Sequence, residues 1–247
     1  GLSGHPGAAS AAVFSLLGGD ERFRVDSEGR WTVNKGAFIG PPMESIPYAV
    51  VDVETTGGSV GRGHRITEVA VVEVREGSVV DSFHTLVNPG RPIPSFVSGL
   101  TGITDDMVRG APTFEAIAQP LAERLQGRVF VAHNAPFDWG FVHAQLVDVL
   151  GDAPDLDRLC TVRMARHLLP DLPRRNLDAL SYHFDVVIEG RHRALGDALA
   201  TARIFLRLMD IARDRGIRDY GALHRIANRM AGGSRRAHGN EAGEENA

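Results

Sequence analysis

The 247-residue chain carries a net charge of −4, with 43% hydrophobic and 23% charged residues. That is the balance of a soluble globular protein with one large domain, or one domain plus a small attachment. It excludes a basic nucleic-acid coat protein, and no apolar run is long enough to span a bilayer.

A single cysteine, Cys160, excludes an internal disulfide and a cysteine zinc site. With no signal-peptide pattern over residues 1–20, it points to a reducing, cytoplasmic compartment. Lys35 is the only lysine; arginine, suited to phosphate contacts, supplies the other positive charge.

In chain order, residues 1–10 are expected to be disordered and Ala11 to Leu17 to form a short helix. Arg22 to Asp26 and Arg30 to Val33 flank the turn Ser27-Glu28-Gly29, a hairpin signal. A short helix before a hairpin resembles the end of a winged-helix domain; a plain N-terminal decoration is the alternative. Gly40-Pro41-Pro42 and Pro47 read as a linker. Residues 1–45 are therefore set apart as an N-terminal extension, 46–213 as the main domain, and 214–247 as a C-terminal helix with a disordered tail.

Within the main domain, strands are expected at 48–53, 66–75 and 79–88, the last two forming an antiparallel hairpin. Gly57–Gly63 reads as a flexible loop. Residues 88–113 are proline-rich with short helical pieces. Phe114, Ile117, Ala118, Leu121 and Leu125 fall at helical spacing in a helix over 113–126. Val129 to Ala132 is a short buried strand, and Pro136 opens a helix to about Leu150. Leu159 to Leu169 holds a strand end and a helix; further helices are expected at 177–184, 194–213 and 217–230. Strands first, then strand–helix alternation, give an α/β class with a mixed sheet flanked by helices.

Three stretches carry chemistry. The first is Tyr48-Ala49-Val50-Val51-Asp52-Val53-Glu54-Thr55-Thr56-Gly57. On a strand, side chains two apart share a face, about 7 Å apart. Asp52 and Glu54 would then converge, and two anions share such a place only if a cation joins them. Hard oxygen ligands suit Mg²⁺ or Mn²⁺. Taken alone, the pair reads as solvated loop acids; the rest of the chain reverses that.

The second is His133-Asn134-Ala135-Pro136-Phe137-Asp138. Asp138 falls in the first turn of a helix, where the dipole alone favours a carboxylate, and Asn134 is readable as a simple cap. The third is His192-Arg193-Ala194-Leu195-Gly196-Asp197. If all six residues were helical, His192 and Asp197 would lie about 140° apart. The histidine is instead expected on the loop before the helix, curling back over Asp197, where it is suited to taking a proton from water. Arg191 and Arg193 either steer phosphates or are solvated loop residues. His64, His84, His143 and His167 receive no role.

The order and context of these motifs, with Arg65-Ile66-Thr67-Glu68-Val69 and Leu100-Thr101-Gly102-Ile103-Thr104, make residues 46–212 resemble the DEDDh (DnaQ-like) 3′–5′ exonucleases. Within these, the chain resembles the proofreading epsilon-subunit type of bacterial DNA polymerase III. Thr101 stands where many relatives have histidine, leaving its contact with a nucleotide open.

The resemblance implies a ribonuclease H-like fold with a five-stranded mixed sheet and two divalent metal ions, Mg or Mn. It implies metal ligation by Asp52, Glu54, Asp138 and Asp197, with Asp52 bridging, and proton abstraction by His192. Thr55, Thr56 and Gly57 would meet the terminal nucleotide, and Asn134 and Phe137 the substrate strand. The implied substrate is single-stranded DNA or frayed 3′ ends, degraded to nucleoside 5′-monophosphates in proofreading or repair. A DNA polymerase or larger repair assembly is the implied partner. The motifs do not separate DNA from RNA, so an RNA-trimming exonuclease stays open. A polymerase-binding scaffold without catalysis also stays open, although an intact acid set argues against it.

Overall fold

The computed structural model describes residues 13–15, 17, 23–33 and 40–228. The expectations of disorder at 1–10 and 231–247 lie outside these residues. Val13–Ser15 and Leu17 are helical. The expected hairpin is present as β1 (Phe23–Val25) and β2 (Trp31–Val33), antiparallel with Val25 opposite Trp31. Asp26 closes its turn by accepting the Glu28 and Arg30 amides, each at 2.9 Å. The Phe14 and Trp31 rings meet edge to face at 5.6 Å.

The main sheet has the order β5-β4-β3-β6-β7. Its strands are β3 (Tyr48–Thr55), β4 (Ile66–Arg75), β5 (Ser78–Leu86), β6 (Val129–Ala132) and β7 (Arg158–Cys160). β3, β4 and β5 run antiparallel; β3, β6 and β7 run parallel. The first strand runs two residues beyond its expected end, because Glu54 and Thr55 pair with Glu68 and Ile66 through a bulge. Both acids are thereby strand residues rather than loop residues.

Strand alternation decides which face each β3 residue serves. Ala49, Val51 and Val53 pack toward α3 (Phe114–Leu125) and α4 (Ala135–Leu150). Tyr48 and Val50 pack toward α5 (Thr161–Leu168), α6 (Leu177–Phe184), α7 (Ala194–Asp214) and α8 (Tyr220–Asn228). Asp52 and Glu54 continue that second series and so face α7. On β4, Glu68 is in phase with Ala70, Val72 and Val74, which share this core. Phe205 of α7 is fully buried with its ring 4.8 Å from that of Tyr48. Truncating such a side chain to alanine costs about 3–5 kcal/mol.

Two short helices, α1 (Ser95–Thr101) and α2 (Asp105–Arg109), close a satellite core of Ile93, Val97, Ile103 and Val108. The expected flexible loop after β3 holds a 3₁₀ turn, Val60–Arg62, whose following carbonyl at Gly63 accepts from Arg91. The last helix starts at Tyr220, not 217. Ile217 still closes α7 through its amide to Ala212 O at 2.9 Å, and the Asp219 carboxylate caps α8 by accepting the Ala222 amide at 2.8 Å. Leu223 and Ile226 of α8, and Met43 before β3, belong to the core. The packed unit therefore reaches beyond residues 46–213 on both sides.

Candidate active site

Asp52 and Glu54 stand near the end of β3, beyond the stretch paired with β6, which stops at Val50 opposite Val131. Past that point the β3 amides on the edge away from β4 need other partners. Asp138, in the first turn of α4 and 3% exposed, accepts the Val53 amide through Oδ1 at 3.2 Å. The bond brings the α4 acid to the β3 acids. Asp197, in the first turn of α7 and 3% exposed, arrives from the other side. One ligand atom each from Glu54, His192 and Asp197 lie within 4.8 Å of one another.

His192 sits on the loop before α7, whose cap residue is Arg193. Its φ of +62° is left-handed, which costs a non-glycine residue roughly 1–2 kcal/mol. Three contacts hold it there. The His192 amide donates to Asp197 Oδ2 at 3.2 Å. Arg193 makes a two-pronged ion pair with Glu68, Nε to Oε2 at 3.0 Å and Nη2 to Oε1 at 2.7 Å, while Glu68 Oε2 also accepts the Ala194 amide at 2.9 Å. Gly196 lets the loop close on the helix: a Cβ there would lie 1.7 Å from the Glu189 carbonyl oxygen.

These bonds correct the reading of the flanking arginines. Arg193 is neither free for phosphate nor merely solvated. Arg191 bridges Asp178, at 2.7 Å, and Asp197. Glu68, 1% exposed, went unassigned in the sequence because its partner lies 125 positions away.

Among the residues expected to meet substrate, Asn134 is exposed, left-handed at φ +73°, and makes no side-chain capping bond. Phe137 is half-buried, its ring 5.1 Å from that of Phe141. Thr55 Oγ1 donates to the Gly57 carbonyl at 2.7 Å. Thr56 is fully buried; its hydroxyl accepts the Arg65 amide at 3.1 Å and lies 3.2 Å from His64 Nδ1. The His64 ring fills the space beside Gly57, where a Cβ would lie 2.4 Å from its Cε1. His64 thus braces the Thr-Thr-Gly turn, which no local pattern announced. Thr101 is 5% exposed and has both hydrogen-bonding roles taken internally, donating to Val97 O and accepting from the Ile103 amide, each at 3.1 Å.

The electrostatics are those of buried carboxylates crowded together, with Arg191 against one of them. Burial, then the charges of Asp138, Asp197 and Glu54, raise the Asp52 carboxyl well above the usual range. Burial, then Asp197 and Glu68, push Glu54 up to about 8. Burial pushes Asp138 up to about 8 against its amide hydrogen bonds. Asp197 is raised by burial although Arg191 opposes the shift. Burial, helped by the charge of Arg191, lowers the His133 ring to about 4. Asp197 Oδ1 is buried with no hydrogen-bond partner. An orphaned carboxylate oxygen beside the Glu54 carboxylate fits a divalent cation, which would bring such raised pKa values back down.

Residues 49–205 match the family RNase_T, described as Exonuclease. A DNA polymerase III PolC-type protein of Caldanaerobacter subterraneus is 37% identical over 179 residues, 72% of this chain and 13% of that protein. A DNA polymerase III subunit epsilon-like protein of Rhodobacter capsulatus is 37% identical over 195 residues, 76% of this chain and 27% of the relative. The 3′-5′ exonuclease DinG of Bacillus subtilis is 37% identical over 168 residues, 68% of this chain and 18% of the relative. The chain thus spans between 13% and 27% of these relatives' lengths.

Among solved structures, exonuclease X in complex with 5′ overhanging duplex DNA matches with a TM-score of 0.57 and 26% identity, covering 73% of this chain and 99% of that one. Exonuclease I matches with a TM-score of 0.61 at 18% identity, covering 70% of this chain and 42% of that one, a likeness of fold. The sheet order, the flanking helices and these likenesses define a ribonuclease H-like fold, and by the match over residues 49–205 the chain belongs to the RNase_T exonuclease family.

Proposed function

We propose that this chain is a metal-dependent 3′–5′ exonuclease domain that hydrolyses the terminal phosphodiester of single-stranded or frayed DNA and releases nucleoside 5′-monophosphates. The observation that carries this reading is the meeting of acids from β3, α4 and α7 beside His192, with Asp197 Oδ1 left unpartnered. Asp52, Glu54, Asp138 and Asp197 would hold the divalent ions, Mg or Mn. When bound, such ions supply Lewis acidity at the phosphate and clamp the attacking and leaving oxygens.

The protein's own groups do the rest. His192, fixed against Asp197 by its amide, accepts the proton of the attacking water. Thr55, Thr56 and Gly57, braced by His64, present a backbone surface to the terminal nucleotide. Asn134 and Phe137 face the strand that leads away from it. Four carboxylates would otherwise repel a phosphate, at about 4 kcal/mol per unit pair at 4 Å and an effective dielectric near 20.

No helix among the described residues is long and apolar enough to cross a membrane. The chain's single cysteine, Cys160, is buried and free, which supports a reducing, cytoplasmic setting. The longer relatives support service within a larger polymerase or repair assembly.

The test is degradation of a 5′-labelled single-stranded DNA with Mg²⁺, Mn²⁺ or EDTA, by wild type and Asp52→Ala. A metal-dependent ladder shortening from the 3′ end, absent in the variant, is expected. Cleavage that survives EDTA or the substitution would sink the reading. A matching RNA strand reads the sugar preference.

A further inference from the structure

Behind the first turn of α4, on the opposite flank from Asp138, lies a cavity of about 350 Å³. One wall is the small-residue flank of α4, Ala135, Pro136 and Gly140, with Trp139; facing it are Arg158, Cys160 and Arg163. The cavity adjoins the site through two links. Ala135 and Pro136 directly follow the exposed Asn134, and His133 Nδ1 lies 3.0 Å from Thr161 Oγ1, two residues ahead of Arg163. It runs along β7, whose first and last residues, Arg158 and Cys160, both line it, and beside the helix that follows β6.

Its charges are available. Neither Arg158 nor Arg163 meets a carboxylate among the described residues, whereas Arg191 and Arg193 beside the acid cluster are both engaged by carboxylates. The Arg158 guanidinium lies 5.4 Å from the Trp139 ring centroid, and its backbone carbonyl accepts Asn228 Nδ2 at 2.8 Å, so the residue is held in place. A guanidinium held over the buried Trp139 ring, a second one that meets no carboxylate among the described residues, and small walls match the anionic phosphate and close sugar of a nucleotide.

We propose that this cavity binds one nucleotide of the single strand upstream of the scissile bond, with Arg158 and Arg163 taking the adjoining phosphates. This rests on the exonuclease reading and extends it to the strand's path. The substrate would cross the α4 N-terminus at Asn134, from the acid cluster on one flank to the arginines on the other. The two arginines then set affinity for a strand without touching the reacting phosphate.

The experiment compares Arg158→Ala/Arg163→Ala with wild type on two substrates. One is a 5′-fluorescent oligothymidylate of about twelve nucleotides, followed by anisotropy and by cleavage. The other is the 4-nitrophenyl ester of thymidine 5′-monophosphate, too short to leave the acid cluster. The double variant should bind the oligomer about tenfold or more weakly, with a salt slope shallower by about 1.4, the value for two lost single-strand phosphate contacts. Ester turnover should match wild type. Gly140→Leu provides a second arm without a charge change. A Cβ at Gly140 meets nothing within 4 Å, so the variant should fold and crowd the cavity, weakening the oligomer alone. Unchanged oligomer binding and salt slope would overturn the proposal, as would loss of ester turnover in equal proportion. If wild type binds the oligomer but cleaves neither substrate, the exonuclease reading fails, while anisotropy still decides on the cavity.

Discussion

The acids and the histidine of this site are held in different ways. Asp52, Glu54, Asp138 and Asp197 ride on a strand and on the first turns of two long helices, so packing of the elements fixes them. His192 rides on a loop with left-handed backbone, held by Glu68 through Arg193 and by the close approach of Glu189 to Gly196. The acid cluster should survive local damage that displaces the histidine. Metal binding and proton transfer are thereby separable by mutation.

The largest effects test that separation at its two poles. Asp197→Ala should abolish cleavage, by about a thousandfold or more, and weaken metal binding, since it removes a ligand from the cluster. His192→Ala should lower kcat by about a hundredfold or more while calorimetry still finds the metal bound. Equal metal loss in both would erase the distinction between the two groups.

Gly196→Ala comes next. The added Cβ cannot share space with the Glu189 carbonyl, so the loop must move, and a shift of about 1 Å can cost about a hundredfold in rate. Metal affinity should fall far less than kcat. A wild-type kcat would mean that the loop tolerates the displacement.

Glu68→Gln should be milder. It keeps the shape of the clamp but removes its charge, lowering thermal stability by roughly 2 kcal/mol and kcat about tenfold. Substrate KM should stay near wild type, because Glu68 reaches the reaction through the His192 loop and through its charge on Glu54, not through substrate. A change confined to KM would place Glu68 in substrate binding instead.

The smallest effect is on pH-dependent stability. Glu54 and Asp138 titrate near 8 when folded, against 4.5 and 3.8 ordinarily, so the folded state binds more protons across that interval. Their contribution to stability is lost as pH rises toward and through 8. His133, lowered from 6.5 to about 4, acts oppositely, losing stability as pH falls through 6.5. Between pH 6.5 and about 8.5 the carboxylates dominate: without metal, Tm should drop by a few degrees, and Mg²⁺ should remove the drop. A Tm independent of pH in EDTA would contradict the buried-acid electrostatics.

The contrast between the two regions also explains what could be read from the chain. The acid pair on β3 was legible because strand period two puts Asp52 and Glu54 on one face, and the long α7 because its apolar spacing is regular. Glu68 was not, since its meaning depends on Arg193, 125 positions away. His64 was equally silent; it matters only because Gly57 leaves room for its ring. Thr101, open in the sequence, is explained by local bonds to Val97 and Ile103. The early start expected for α8 failed because an apolar pattern cannot register that Ile217 still terminates the preceding helix.

The most direct test of the metal-centred site is calorimetric titration of Mn²⁺ into the metal-stripped protein with thymidine 5′-monophosphate present, for wild type and Asp52→Asn. Two bound ions in wild type, and loss of at least one in the variant, are the predicted result. No binding to wild type, or identical isotherms for both proteins, would contradict it.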